Sequence, residues 1–71
     1  MLQFFERAGR RLQYETRLSP IGDGYELVVT ESGTERTERF RTVGELLTRE
    51  HELLTAWRAM GWRQTDMPRW R

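Results

Sequence analysis

The side chains that could support catalysis are few in this sequence. The single histidine, His51, lies between Glu50 and Glu52, and the only serines are Ser19 and Ser32. Nucleophilic catalysis requires a nucleophile held against a positioned base, and neither serine is near His51 along the chain. We therefore interpret His51 as a solvated helix residue, and we expect no enzyme activity.

Ligands for a metal or a cofactor are also missing. The chain has no cysteine, whereas zinc prefers three or four nitrogen or sulfur ligands. The glycine-rich segment 22–24 joins two predicted strands, whereas a phosphate-binding loop precedes a helix N-terminus. Neighbouring carboxylates such as Glu35 and Glu38 lie among arginines, which favours ion pairing over acid–base catalysis. We expect no metal and no cofactor.

The charge balance gives little support to a nucleic-acid surface. The 71-residue chain has 12 basic residues, all of them arginine, and 11 acidic ones, for a formal net charge of +1. Arginine pairs with both phosphates and carboxylates, so near-equal numbers favour mutual neutralisation. The absence of cysteine, of a signal-peptide pattern and of a long apolar run predicts a cytoplasmic protein.

Three strands are predicted from the spacing of apolar residues. Alternation of apolar and polar residues over 11–18 is typical of a half-buried strand. A proline- and glycine-containing break over 19–24 ends it. The β-branched and aromatic residues of 25–31 predict a second strand, and Ser32-Gly33 predicts a two-residue turn into a third strand over 34–41.

The two-residue turn also predicts a register. Counting outward from Ser32-Gly33 sets Tyr25 opposite Phe40 and Glu26 opposite Arg39. Both pairs are favourable cross-strand contacts. A slip of one residue would set Glu26 against Glu38, which is repulsive, so we expect the unshifted register.

An amphipathic helix is predicted after the third strand. Thr42 and Glu45 have the spacing of a capping box, and Gly61 is placed to end the helix. Glu45 and Arg49 lie four residues apart in the order that favours a helix ion pair. The apolar stripe comprises Val43, Leu46, Leu47, Leu53, Leu54, Trp57 and Met60.

These elements predict one small α+β domain over 1–71. Its core, 11–61, is a three-stranded antiparallel sheet followed by one C-terminal amphipathic helix packed on one face (β-β-β-α). Residues 1–10 are expected to form a lead and residues 62–71 a tail. The aromatic residues of these two segments, Phe4, Phe5, Trp62 and Trp70, either fold back and thicken the core or form an interaction surface. The predicted core comprises Leu12, Tyr14, Leu18, Tyr25, Leu27, Val29, Phe40, Leu46, Leu47, Leu53, Leu54 and Trp57.

With catalysis disfavoured, we expect a small non-enzymatic interaction module. Its partner would be another protein or a second copy of the chain, as a homodimer, and we expect no membrane contact. Tryptophan, methionine and arginine are enriched at interface centres. The edge of the third strand is also available for pairing, although its charges guard against it. The expected interaction surface joins the uncovered sheet face to the terminal aromatics: Arg11, Arg17, Arg39, Arg41, Trp62 and Trp70.

The alternative is a small nucleic-acid-binding protein. A three-stranded sheet backed by one helix can enter a DNA groove, and in architecture alone the predicted fold resembles arm-type DNA-binding domains. The open face would then use Arg11, Arg17, Arg39 and Arg41. Three glutamates on the same face, however, bring it close to neutral, whereas a phosphate-binding surface should be strongly positive.

Overall fold

The computed structural model describes residues 2–65 of the chain. The elements in chain order are β1 (Leu2–Arg7), β2 (Arg10–Leu18), β3 (Tyr25–Glu31), β4 (Thr34–Phe40), α1 (Val43–Ala59) and β5 (Arg63–Thr65). The strands form one sheet in the order β4-β3-β2-β1-β5, in which all neighbours are antiparallel. The fold is α+β, as predicted, but the sheet has five strands rather than three, and the helix lies before the last strand.

The first additional strand comes from the segment expected to be a lead. Ala8 and Gly9 both have positive φ, 49° and 79°, and this two-residue turn folds β1 back along β2. Phe5 then lies opposite Leu12, and its side chain is only 1% exposed. β1 is therefore a strand beyond the three that were predicted, and burial of Phe5 gives this first segment a place in the sheet.

The second additional strand comes from the segment expected to be a tail. Residues 63–65 pair with β1 across Phe4, Phe5 and Glu6, and Trp62 is buried. The helix is therefore internal to the chain, not C-terminal, because the chain after it returns to the sheet. The remaining part of the predicted tail, 66–71, lies outside the described residues.

The predicted register between the second and third predicted strands is confirmed. In β3 and β4, Tyr25 lies opposite Phe40 and Glu26 lies opposite Arg39. Ser32 and Gly33 have φ values of 51° and 81°, which are typical of a type I′ hairpin turn. The strand ends differ from prediction by one residue, since β2 begins at Arg10 and β4 ends at Phe40.

Both predicted helix ends are confirmed. The Thr42 hydroxyl accepts a hydrogen bond from the Glu45 amide at 3.2 Å and donates to the Glu45 carboxylate at 3.2 Å. At the other end Gly61, with φ of 92°, allows the Trp62 amide to reach the Trp57 carbonyl at 2.9 Å. This is the Schellman arrangement, and it turns Trp62 back towards the core.

The core lies between the helix and one face of the sheet. Most of the predicted core residues are buried or packed against the buried cluster. Leu18 and Leu47 are corrections, since they are 71% and 55% exposed, and Val43 and Met60 of the predicted stripe are also exposed. The buried stripe of the helix is therefore narrower than its sequence suggests. Phe5 and Trp62, which were absent from the predicted core, belong to the buried cluster.

Candidate interaction surfaces

The face of the sheet opposite the helix is defined here as the open face. The cross-strand register assigns each strand's alternate residues to it. From β4 across to β5 these are Glu35, Thr37 and Arg39; Glu26, Val28 and Thr30; Arg11, Gln13, Glu15 and Arg17; Leu2, Phe4 and Glu6; and Arg63 and Thr65. The two additional strands thus widen the face beyond the three strands that were expected to form it.

Two of the predicted surface arginines are held by one buried carboxylate. Glu26 is 2% exposed, and it accepts from Arg17 Nε at 3.0 Å and from Arg39 Nε at 3.2 Å. Arg17 also lies 3.5 Å from Glu15. This network satisfies a buried charge, and it gives both arginines an acidic partner within the protein.

The other predicted surface residues are dispersed. Arg11 lies on β2, where it lines a depression of about 520 Å³ together with Phe4 and Gln13 on the open face. Arg41 is exposed just beyond the end of β4, at an outer edge of the sheet and two strands away from Arg11. Trp70 lies outside the described residues. The fold therefore does not bring these residues together as one patch.

Trp62 belongs to the interior of the protein. It is 4% exposed and joins the buried cluster. The Arg7 guanidinium lies 5.1 Å from the centre of the Trp62 ring, a cation–π distance, and Arg7 Nη1 donates to the Met60 carbonyl at 2.8 Å. These contacts fasten the end of the helix to β1.

One flank of the helix makes a part-buried hydrogen bond to β2. The Tyr14 hydroxyl donates to a Glu50 carboxylate oxygen at 2.6 Å. Burial of Tyr14 and this hydrogen bond to an acidic neighbour raise the Tyr14 pKa well above its usual range. The neighbouring His51 is exposed. Glu50 thus links the helix to β2.

The outer edge of β4 presents unpaired backbone groups. The two-residue turn makes Glu31 and Thr34 a hydrogen-bonded pair, and such pairs alternate along an antiparallel ladder. The amides and carbonyls of Glu35, Thr37 and Arg39 therefore point away from β3. Among the described residues no strand lies on that side. The two-residue turn at Ser32-Gly33 is sufficient to assign which backbone groups of β4 point outward.

The charged side chains of β4 differ in their partners. Glu38 accepts from Arg49 of the helix at 2.9 and 3.3 Å, and Arg39 pairs with Glu26. Arg49 also contacts Glu52 at 3.3 Å, so it does not form the predicted pair with Glu45. Within residues 2–65 no ion pair involves Glu35 or Arg36, and both are exposed.

The described residues offer no assembled metal site. Over 2–65 there is no group of three or more histidine, cysteine, aspartate or glutamate side chains that could hold a metal ion. In the same part of the chain, α1 is too short and too polar to cross a membrane. The features left for recognition are the open face and the β4 edge.

Comparison with known proteins adds no further information about these surfaces. No protein-family model, no curated protein and no solved structure matches this chain. The functional argument therefore depends on the geometry of the chain itself.

Proposed function

We propose that this protein is a small non-enzymatic interaction module that binds a protein partner by strand addition at β4. The observation that carries the proposal is the unpaired outer edge of a regular seven-residue strand. An extended peptide added to a sheet edge gains main-chain hydrogen bonds, and its alternate side chains provide specificity. Among the described residues no strand pairs with this edge.

The two edges of the sheet differ in ways that favour β4. Within the described residues 2–65, β5 contributes three residues to the sheet and β4 contributes seven, so β4 offers the longer regular edge in that part of the chain. β4 is also supported from behind, because β3 is buried from Glu26 to Val29. A partner strand would therefore meet a rigid template at β4.

Nucleic-acid binding remains the alternative function, but it has weaker support. Two of its four proposed arginines, Arg17 and Arg39, are engaged by Glu26. A five-stranded sheet spans roughly 19 Å between its outer strands at normal spacing, whereas the major groove is about 12 Å wide and admits a helix or a two-stranded ribbon. The arm-type resemblance expected from three strands therefore does not extend to this sheet.

Peptide selection tests strand addition directly. A displayed library of random ten-residue peptides is selected on the full chain at low protein concentration, and the selected peptides are titrated by nuclear magnetic resonance. Strand addition predicts slowed amide exchange at Glu35, Thr37 and Arg39. Binding that protects amides elsewhere, or no selected binder, contradicts the proposal.

The Thr37→Pro variant is the matched test. Its lost amide points away from β3, so the hairpin should keep its ladder, whereas an added strand would lose a hydrogen bond and meet the proline ring. We expect peptide affinity to fall at least about tenfold. Equal affinity for the variant contradicts strand addition. If the variant does not fold, strand addition is judged from the amide exchange of the unaltered protein with and without the selected peptide.

Salt dependence distinguishes the alternative. Labelled random-sequence DNA and RNA are titrated by anisotropy at low and near-physiological salt, because phosphate contacts release counterions. Micromolar binding that weakens steeply with salt would favour the nucleic-acid function. We expect no binding that survives near-physiological salt.

A further inference from the structure

We propose that the strand added at β4 is β4 of a second copy of this chain, paired antiparallel about a two-fold axis through Thr37. This inference rests on the proposed function of the β4 edge, and it names the partner. The carrying observation is the order of charges along β4, Thr34-Glu35-Arg36-Thr37-Glu38-Arg39-Phe40. That order is self-complementary when the strand is reversed against itself.

The two-fold axis limits the possible registers. Antiparallel pairing of two identical strands about such an axis sets one residue opposite its own copy. Hydrogen bonds across the junction require the outward amides and carbonyls of one β4 to face those of the other. A shift of one residue would instead place them opposite groups that already bond to β3. A charged residue at the centre would face a like charge. Among the interior residues of β4, Thr37 alone is uncharged.

With Thr37 at the centre, every charged residue of the strand faces an opposite charge. Glu35 lies opposite Arg39 of the second copy on the open face, and Arg36 lies opposite Glu38 on the helix side. The symmetry repeats each pair, so four ion pairs form across the junction. Moving the centre to Arg36 or Glu38 opposes two arginines or two glutamates. The charged side chains of β4 thus disfavour pairing with other strands and favour the one self-pairing register that is centred on Thr37.

The proposed pairing also supplies partners to charges that lack them. Within residues 2–65 Glu35 and Arg36 make no ion pair. Their proposed partners remain accessible, since the side chains of Arg39 and Glu38 are 72% and 42% exposed. A carboxylate has room for several donors, so Glu38 can keep Arg49 while accepting from Arg36 of the second copy.

The helices do not obstruct the pairing. The two-fold axis is perpendicular to the sheet, so both helices lie on the same side of it. The helix begins just after Phe40, and the symmetry places Phe40 of one copy beside Thr34 of the other. At that end the helix side of the sheet has an open depression of about 430 Å³ that Thr34 and Arg36 line. The helix start of the second copy therefore faces open space.

Charge reversal in two variants provides the test by sedimentation equilibrium of the full chain. Arg36→Glu alone sets glutamate against Glu38 twice, and Glu38→Arg alone sets arginine against Arg36 twice. We expect each variant to dimerise at least about tenfold more weakly than the unaltered chain. A mixture of the two variants restores opposite charges at every pair, so the mixture should recover dimerisation as a heterodimer.

Arg63→Glu is the matched control, because it makes the same charge change on β5 at the other edge of the sheet. It should dimerise like the unaltered chain. A single strand pair buries less than a standard interface, so we expect a reversible dimer with a dissociation constant below about 1 mM. Three results would overturn the inference: a monomer at that concentration, single variants that dimerise as tightly as the unaltered chain, or a mixture that does not recover.

The failure of this inference can be told apart from the failure of the proposed function. In one outcome the chain stays monomeric while a selected peptide slows amide exchange at Glu35, Thr37 and Arg39. That result would support strand addition at β4 and exclude a second copy as the partner. A chain that neither dimerises nor binds any extended peptide at β4 would contradict both the proposed function and the proposed dimer.

Discussion

At the scale of single residues, close backbone contacts and buried charges set the tolerance of this small protein to substitution. Gly24 lies where the chain enters β3, with φ of 137°. A Cβ atom there would lie 2.3 Å from the Phe40 carbonyl oxygen. Because the obstructing atom belongs to the backbone, relief requires the start of β3 to move away from the end of β4.

Gly24→Ala should therefore destabilise the protein by about 3 kcal/mol, from the left-handed backbone and the steric clash together. Chemical denaturation followed by tryptophan fluorescence measures this loss. Gly22→Ala is the control in the same loop, since its φ is 76° but nothing lies within 4 Å of the added Cβ. It should cost about 1 kcal/mol. Equal losses for the two variants would show that the contact with Phe40 does not matter.

Glu26→Gln tests the buried carboxylate between two arginines. Arg17 and Arg39 bind different oxygens of Glu26. In the glutamine one of these positions becomes an NH₂ group, which donates, so one of the two arginines loses its acceptor. We expect a loss of about 1 kcal/mol in unfolding free energy, limited by the exposure of the arginines. Glu15→Gln is the control, because its side chain is more exposed and its contact to Arg17 is 3.5 Å. The hypothesis fails if both variants melt alike.

At the scale of elements, one polar contact fixes the helix against the middle of the sheet. The aromatic rings of Phe5, Tyr14 and Trp57 lie with their centres 5.5 to 6.1 Å apart. The Tyr14 hydroxyl extends from this cluster to Glu50. Tyr14 thus holds the helix in two ways, through the contact of its ring with Trp57 and through the hydrogen bond from its hydroxyl to Glu50.

This contact predicts a loss of stability at alkaline pH. The folded-state pKa of Tyr14 is raised, mainly by burial and then by its hydrogen bond to Glu50, whereas the unfolded tyrosine ionises near pH 10. Above about pH 10 the unfolded state releases a proton that the folded state keeps. The unfolding free energy should therefore fall by up to about 1.4 kcal/mol per pH unit.

Denaturation curves at pH 9, 10 and 11 measure this fall. Tyr14→Phe should be less stable at pH 9 but should show a shallower decline above pH 10. Tyr25→Phe, which leaves the Tyr14–Glu50 contact intact, should decline like the unaltered chain. If Tyr14→Phe declines just as steeply, the alkaline loss has another source.

At the scale of the whole molecule, the end of the helix and the start of the chain complete one core. Trp62 follows the helix directly, and β5 adds to the outer side of β1. The core of so small a protein has few residues to spare. We therefore expect the pairing of β1 with β5 and the burial of Trp62 to contribute a large share of the unfolding free energy.

Trp62→Ala should destabilise the protein by about 3–5 kcal/mol, since it removes a large buried side chain and leaves a cavity. It also removes the ring beneath Arg7. Met60→Ala, at a position 54% exposed, is the control and should cost less than about 1 kcal/mol. Thermal melting distinguishes them. A small effect of Trp62→Ala would mean that β5 contributes little to the fold.

The central hairpin and the helix ends were determined by the sequence itself. Ser32-Gly33 requires a two-residue turn, and opposite charges at Glu26 and Arg39 exclude a shifted register. Thr42 and Gly61 mark the two ends of the helix by local hydrogen bonds. These signals act between neighbours in the chain or across one tight turn, so no knowledge of the remaining fold was needed.

Only the tertiary structure decided the places of the two ends and the state of the open face. Nothing in residues 2–7 or 62–65 alone shows that they become neighbours, because β1 and β5 are stabilised by pairing with each other and by the buried cluster that Phe5 and Trp62 join. Glu26, likewise, becomes a buried partner of two arginines only when three strands stand side by side. Pairing between distant segments depends on the burial that the assembled core provides, and that burial has no local signature in the sequence.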